Sequence, residues 1–255
     1  MSEQDQVFET VALAGEILLS SGAEIFRVTD TMERIAAAYG CDELGTFILS
    51  NGVLLSTGGN GRSYQSRIRH IPITGSRLDR IDAVNQLSRQ IGQGMYTPEE
   101  AYARLKEIKT MPSKPRWAQV IASGVGSGAF CYVFGGTYCD AVAAFCCGIV
   151  LYVYFLFLVK GRLSKIATHI SGGALVTVCS LLLIHLGIGS NLETVTTGAV
   201  VPLLPGVAFT NGIRDLADED YISGSVRLLD AILCVACLAL GVGLVMAGFQ
   251  ELMGA

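Results

Sequence analysis

From residue 117 onward, long apolar runs alternate with short polar punctuation. Residues 117–138 carry no charge, and 141–159 follow a short connection holding Asp140. After "KGRLSK", residues 166–189 are free of charge apart from His169 and His185; 194–213 and 228–250 complete the series, with Asp230 near the start of the last. Each run has about the 20 residues a helix needs to cross the hydrocarbon core. The pattern predicts an α-helical polytopic membrane protein with five spans, a membrane domain over 113–255.

Before residue 113 the pattern is of a different kind. Residues 7–20 read as one helix. In "SGAEIFRVTDTMERIAAAYG", Ile25, Val28, Met32, Ile35 and Tyr39 recur at three- and four-residue spacing, so a turn and a second helix follow, ended by Gly40. "TFILSNGVLLST" is rich in strand formers, "GGNG" reads as a hairpin turn, and "RSYQSRIRHIPI" alternates enough to pair across it. Two more helices are expected over 77–92 and 99–109, the latter announced by "TPEE". Residues 1–112 therefore predict a small α/β head domain.

The fourth apolar run contains an anomaly. "VVPLLPGVAFTNGIRD", residues 200–215, begins as a spanning helix and then places Pro202, Pro205 and Gly206 inside it. Proline removes an N–H and clashes with the preceding turn, and lipid cannot satisfy the freed carbonyl. Such a break persists where it is packed in protein or lines a wet cavity. A half-helix starting near Gly206 would aim backbone N–H groups at a substrate carboxylate, with Thr210 and Asn211 one turn on, while carbonyls freed near 201–203 would suit an ammonium or coupling cation. The competing reading is a kink filled by neighbouring helices.

Composition agrees with a membrane setting: 51% hydrophobic residues, 16% charged and a mean hydropathy of +0.50. Of 18 Lys and Arg, thirteen precede Trp117, and the rest are Lys160, Arg162, Lys165, Arg214 and Arg227. With the head inside, five spans put every one of them on the cytoplasmic side and the C-terminus outside. The polar, acidic start "MSEQDQVFET" lacks a basic region before an apolar core, so no cleavable signal is expected. The acidic pI of 5.4 speaks against nucleic acid as partner.

Candidate chemistry is sparse. Seven of eight cysteines fall in the apolar body, where thiols pack as small hydrophobes, so neither a disulfide nor a metal is expected, and no cofactor. Ser63, His70 and Asp79 lack a nucleophile elbow, and no catalytic residue is proposed. Arg27, Asp30 and Arg34 lie opposite the apolar stripe, as a solvated, salt-bridged face would. Gly124 and Gly128, four apart, suit close helix packing or the lining of a passage. Intramembrane charges are costly, which makes Asp140, Arg214, Asp215 and Asp230 candidates for coupling or gating; Asp230 stands three residues from a possible partner, Arg227.

Several stretches together resemble the threonine/serine exporter family: "SGAEIFRVTDTMERIA", "SNG", "PRWAQVIASGVGSGAFCYVFGG" with Asp140 just beyond, and "VPLLPGVAFTNGIRDLADEDYISGSVRLLDAI". A chain of this length with five spans resembles the larger subunit of the split, YjjP-like branch. The resemblance implies export of small hydrophilic metabolites across the cytoplasmic membrane, with threonine and serine as one substrate class and succinate-like dicarboxylates as another. It also implies a smaller membrane partner of the same family; a homo-oligomer is the alternative. A membrane-anchored sensor or enzyme acting through the head is the competing class, but a plain anchor needs one span and no broken helix.

Overall fold

A computed structural model describes residues 3–41, 44–57, 65–71, 75–159 and 163–253. The hairpin turn expected at "GGNG" and Ser63 lie outside them. Contacts divide the chain into two compact units: residues 1–112 together with 207–229, and 113–206 together with 230–255.

The N-terminal part of the first unit, among the described residues, holds four helices and a sheet, and 207–229 adds helical segments to it. Helices α1 (Glu3–Ser20) and α2 (Ile25–Ala38) are joined by a tight turn; α3 (Leu78–Gly92) and α4 (Pro98–Thr110) follow the sheet. The apolar stripe of α2 is buried as its spacing predicts, with Val28, Met32 and Ile35 fully enclosed beside Ile17, Leu18, Val84 and Leu105. Thr97 and Glu100 close a reciprocal capping box at the start of α4. The strand-rich segment is two strands, since Ser50 and Asn51 turn the chain between β1 (Leu44–Leu49) and β2 (Gly52–Thr57). With β3 (Gln65–His70) they form an antiparallel sheet in the order β1-β2-β3.

Charges tie this unit's elements together. On β3, Arg67 and Arg69 pair with Glu9 of α1, and Arg69 also with Glu16, which Lys109 of α4 reaches as well. Burial pushes the Glu16 carboxyl up, but Lys109 and Arg69 outweigh it and hold it below the usual range. Asp79 accepts two hydrogen bonds from the Arg77 guanidinium at 2.9 and 2.8 Å, which draw its pKa down to about 2. On the outer face of α2, Arg34 pairs with Asp30 and Arg27 lies 3.6 Å from Glu24, the expected solvated face.

The second unit holds α5 (Arg116–Val133), α6 (Tyr138–Val153) continued by a π-helical turn (Tyr154–Val159), α7 (Lys165–His185) and α8 (Leu192–Val200). The first apolar run ends sooner than expected, because Gly135 adopts φ 92° and Thr137 caps α6. Its core gathers Cys131, Ala143, Ala144, Cys147, Leu151, Val176, Val195, Ala199 and Leu238. Small residues allow the close approach: a Cβ on Gly128 would stand 2.9 Å from the Ala141 carbonyl, and one on Gly173 2.5 Å from that of Leu238.

Among the described residues, three helical stretches are long and apolar enough to cross a membrane: Tyr138–Phe157, Lys165–His185 and Tyr221–Leu252. The interrupted pair Leu192–Leu203 and Gly206–Ala217 makes a fourth if taken as one broken span. Helix α5 falls short of that apolarity, since Arg116, Gln119 and a stripe of Ser and Gly dilute it. The chain is thus a multi-pass membrane protein.

Candidate functional site

The interruption predicted from the two prolines lies where the sequence puts it. After α8 a single 3-10 turn covers Val201–Leu203, including Pro202, and Leu204 is extended at φ −69°, ψ 131°. Helix α9 (Gly206–Ala217) then begins. Part of the freed backbone is satisfied locally: Leu204 N–H donates to the Val201 carbonyl at 3.0 Å, and Gly206 N–H to that of Leu204 at 2.9 Å. Pro205 is half-buried. Gly206 is exposed, and a Cβ there would meet nothing within 4 Å. Open space beside a helix start is what a ligand approaching the backbone requires.

The polar residues of α9 have other occupations. Thr210 is exposed, its hydroxyl donating to the Val207 carbonyl at 3.1 Å. Asn211, Arg214 and Asp215 turn to the α1–α2 turn of the first unit, nearly two hundred residues earlier in the chain. Asn211 Nδ2 donates to the Gly22 carbonyl at 2.9 Å, and Arg214 Nη1 lies 3.1 Å from Glu24 Oε1. Asp215, 1% exposed, accepts the Ile25 N–H at 3.1 Å. That amide is the first of α2, an orphan donor at the positive end of a helix. The N-cap Glu24 makes no side-chain cap, so Asp215 supplies the acceptor from a distant element.

The counter-charge comes from α10 (Tyr221–Met253). Arg227 is 7% exposed; its Nη1 lies 3.1 Å from Asp215 Oδ2 and its Nη2 donates to the Ala23 carbonyl at 2.8 Å. The turn itself is set by Gly22 at φ 79°, which lets Gly22 and Ala23 return their N–H groups to Leu19 and Leu18 at 3.0 and 3.1 Å. Three polar side chains from α9 and α10 thus read three backbone groups of one four-residue turn. Sequence reasoning missed the role of Arg227, which has no helical periodicity or motif to mark its partner.

The other candidate charges belong to the second unit. Asp140 is 1% exposed and saturated: it accepts from Thr137 N and Oγ1 at 2.9 and 2.7 Å, and from Ser190 N and Asn191 N at 2.6 and 3.0 Å. It caps α6 and pins the connection before α8. Asp230 pairs with Lys165 of α7 at 2.7 and 2.5 Å, not with Arg227, the nearby partner the spacing offered. His169, one turn beyond Lys165, keeps a buried Nδ1 without a hydrogen-bond partner among the described residues.

Comparison with known proteins fits this arrangement into a family. The model of the family described as "Putative threonine/serine exporter" matches residues 9–248. The chain is 27% identical to the "Probable succinate transporter subunit YjjP" of Klebsiella aerogenes, over 96% of this chain and 94% of that protein. It is 24% identical to the "Threonine/serine exporter" of Corynebacterium glutamicum, over 93% of this chain but 50% of that one. To the "Pheromone-regulated membrane protein 10" of Debaryomyces hansenii the identity is 23%, over 89% of this chain and 23% of the relative. No solved structure matches. With one family model covering both the head helices and the interrupted apolar run, the chain belongs to the threonine/serine exporter family.

Proposed function

We propose that this protein is a subunit of a transmembrane exporter of small hydrophilic metabolites, with threonine and serine as one substrate class and succinate-like dicarboxylates as the alternative. The observation that carries the reading is the interrupted helix at 201–206: a plain anchor needs one span and no broken helix, whereas transporters use such breaks to present backbone groups to a solute. The names of the relatives support it, since one is called a succinate transporter subunit and another a threonine/serine exporter. Pro202, Pro205, Gly206, Thr210 and Asn211 are the proposed substrate-binding or translocation residues, and Asp140, Arg214, Asp215 and Asp230 the candidates for coupling or gating.

In this reading residues 1–112 form a cytoplasmic head, 113–255 the membrane domain with five spans, and the C-terminus lies outside the cytoplasmic membrane. Alternating access needs two repeats or bundles moving against each other. The chain matches almost the whole length of the YjjP proteins and half of the Corynebacterium exporter, which supports a second, smaller membrane subunit or self-association.

Efflux tests the reading. Cells lacking other exporters are preloaded with labelled threonine, serine or succinate, and expression of the chain with its partner should accelerate loss of at least one. Unchanged efflux of all three, at verified membrane expression, would refute transport of these classes.

A further inference from the structure

We propose that the α1–α2 turn, residues 22–25, is an internal ligand: it occupies the binding groups of Asn211, Asp215 and Arg227, and a solute carrying an ammonium beside a carboxylate competes with it for them. The inference rests on the transport reading and deepens it, since it names a site and the contact that closes it.

Asp215 accepts an N–H from Ile25; Arg227 and Asn211 donate to the carbonyls of Ala23 and Gly22. One buried acid and two buried or half-buried donors, facing one N–H and two carbonyl oxygens, form a receptor for a piece of peptide backbone. A free amino acid presents the same elements with full charges, an ammonium for Asp215 and a carboxylate for Arg227 and Asn211. Charge-assisted hydrogen bonds are stronger than those the neutral backbone offers. A dicarboxylate does not match, because it lacks the cation and sets a carboxylate against Asp215.

Two further observations fit an occupant that leaves. A buried Asp–Arg pair is weak evidence for stability and is best attested where it sets register or works a switch. The clasp is also incompletely bonded: the fully buried hydroxyls of Ser21, just before residues 22–25, and Ser223, one helical turn before Arg227, have no hydrogen-bond partner among the described residues. Buried hydroxyls of that kind call for a reason, and a second bonding arrangement supplies one.

The test uses the wild-type chain, purified with its partner in lipid nanodiscs, with threonine, serine and succinate as probes. Hydrogen exchange of residues 22–25, read with and without each probe, should show the Ile25 amide losing protection about tenfold or more with threonine or serine and unchanged with succinate. Glu24→Gln removes the ion pair with Arg214 while keeping Asn211, Asp215 and Arg227. By making the site available in a larger fraction of molecules it should tighten apparent threonine binding about three- to tenfold. A purely structural clasp predicts no gain in affinity. Threonine binding that leaves 22–25 protected, or an equal response to succinate, overturns the inference while the efflux assay still stands for transport. Absence of both binding and efflux overturns both.

Discussion

The carboxylate of Asp215 accepts the backbone N–H of Ile25 at 3.1 Å, across 190 positions of sequence. That bond gives helix α2 the acceptor its own N-cap residue fails to provide, and it fixes the end of α9 to the head. The acid is buried with Arg227, so neither charge is screened by water.

Removing one member of this pair leaves the other buried and uncompensated. Asp215→Ala or Arg227→Met should each lower stability by about 3 kcal/mol or more, whereas the double replacement Asp215→Leu with Arg227→Met should cost less than the two singles together. Thermal unfolding of the four proteins in detergent, as a double-mutant cycle, measures the coupling. Additive losses would mean the pair does not act as a unit.

Close helix packing is tested by two glycines one half-turn apart. Gly128→Ala places a methyl 2.9 Å from the Ala141 carbonyl and must push α5 from α6, whereas Gly126→Ala meets nothing within 4 Å. The first should destabilise by about 1–3 kcal/mol, and the second should be neutral or slightly favourable. Melting temperatures of the purified variants decide it.

At the interrupted helix Gly206 is exposed and a Cβ there meets nothing within 4 Å, so Gly206→Leu should fold and insert near normally. Efflux should nevertheless fall, because the side chain takes the space a ligand needs beside the backbone. Pro205→Ala restores an N–H and should lower efflux by healing the break. Normal efflux from both at matched membrane levels would mean that the break is only a kink.

The head carries a measurable pH dependence at Asp79. Its folded pKa, about 2, lies below that of an unfolded aspartate, so the carboxylate contributes stability above roughly pH 4 and loses it as pH falls through about 2. Both side chains are partly in solvent, which reduces the contribution to under about 1 kcal/mol. Asp79→Asn should therefore be less stable than wild type by that amount at pH 7, with the gap closing toward pH 2 in paired unfolding curves.

Topology is open to labelling in intact cells, in a background without native cysteines. A thiol in the 187–192 connection should react with an impermeant maleimide, and one at 163 should be protected until the membrane is opened. The reverse pattern would sink the five-span orientation.

Periodicity placed α2 to within a residue or two, because three- and four-residue spacing leaves one burial solution for Ile25, Val28, Met32 and Ile35, and the "TPEE" capping signature placed the start of α4. The break at Pro202 and Pro205 was equally legible, since backbone chemistry is local and proline acts wherever it stands; of the five apolar runs, three helices and the interrupted pair are long and apolar enough to cross a membrane among the described residues, and α5 is not. The division of "TFILSNGVLLST" into two strands was not resolved, for both halves are strand formers and two residues, Ser50 and Asn51, make the turn. Partners were beyond reach wherever charge meets charge at long range. Asp230 has an arginine three residues away, yet it bonds Lys165, and Arg227 goes to Asp215 and Ala23. Helical spacing brings side chains within reach of one another, but burial decides which pair forms. Only the tertiary packing of α9 and α10 against the α1–α2 turn removes water from Asp215 and Arg227, and so makes them each other's necessary partners.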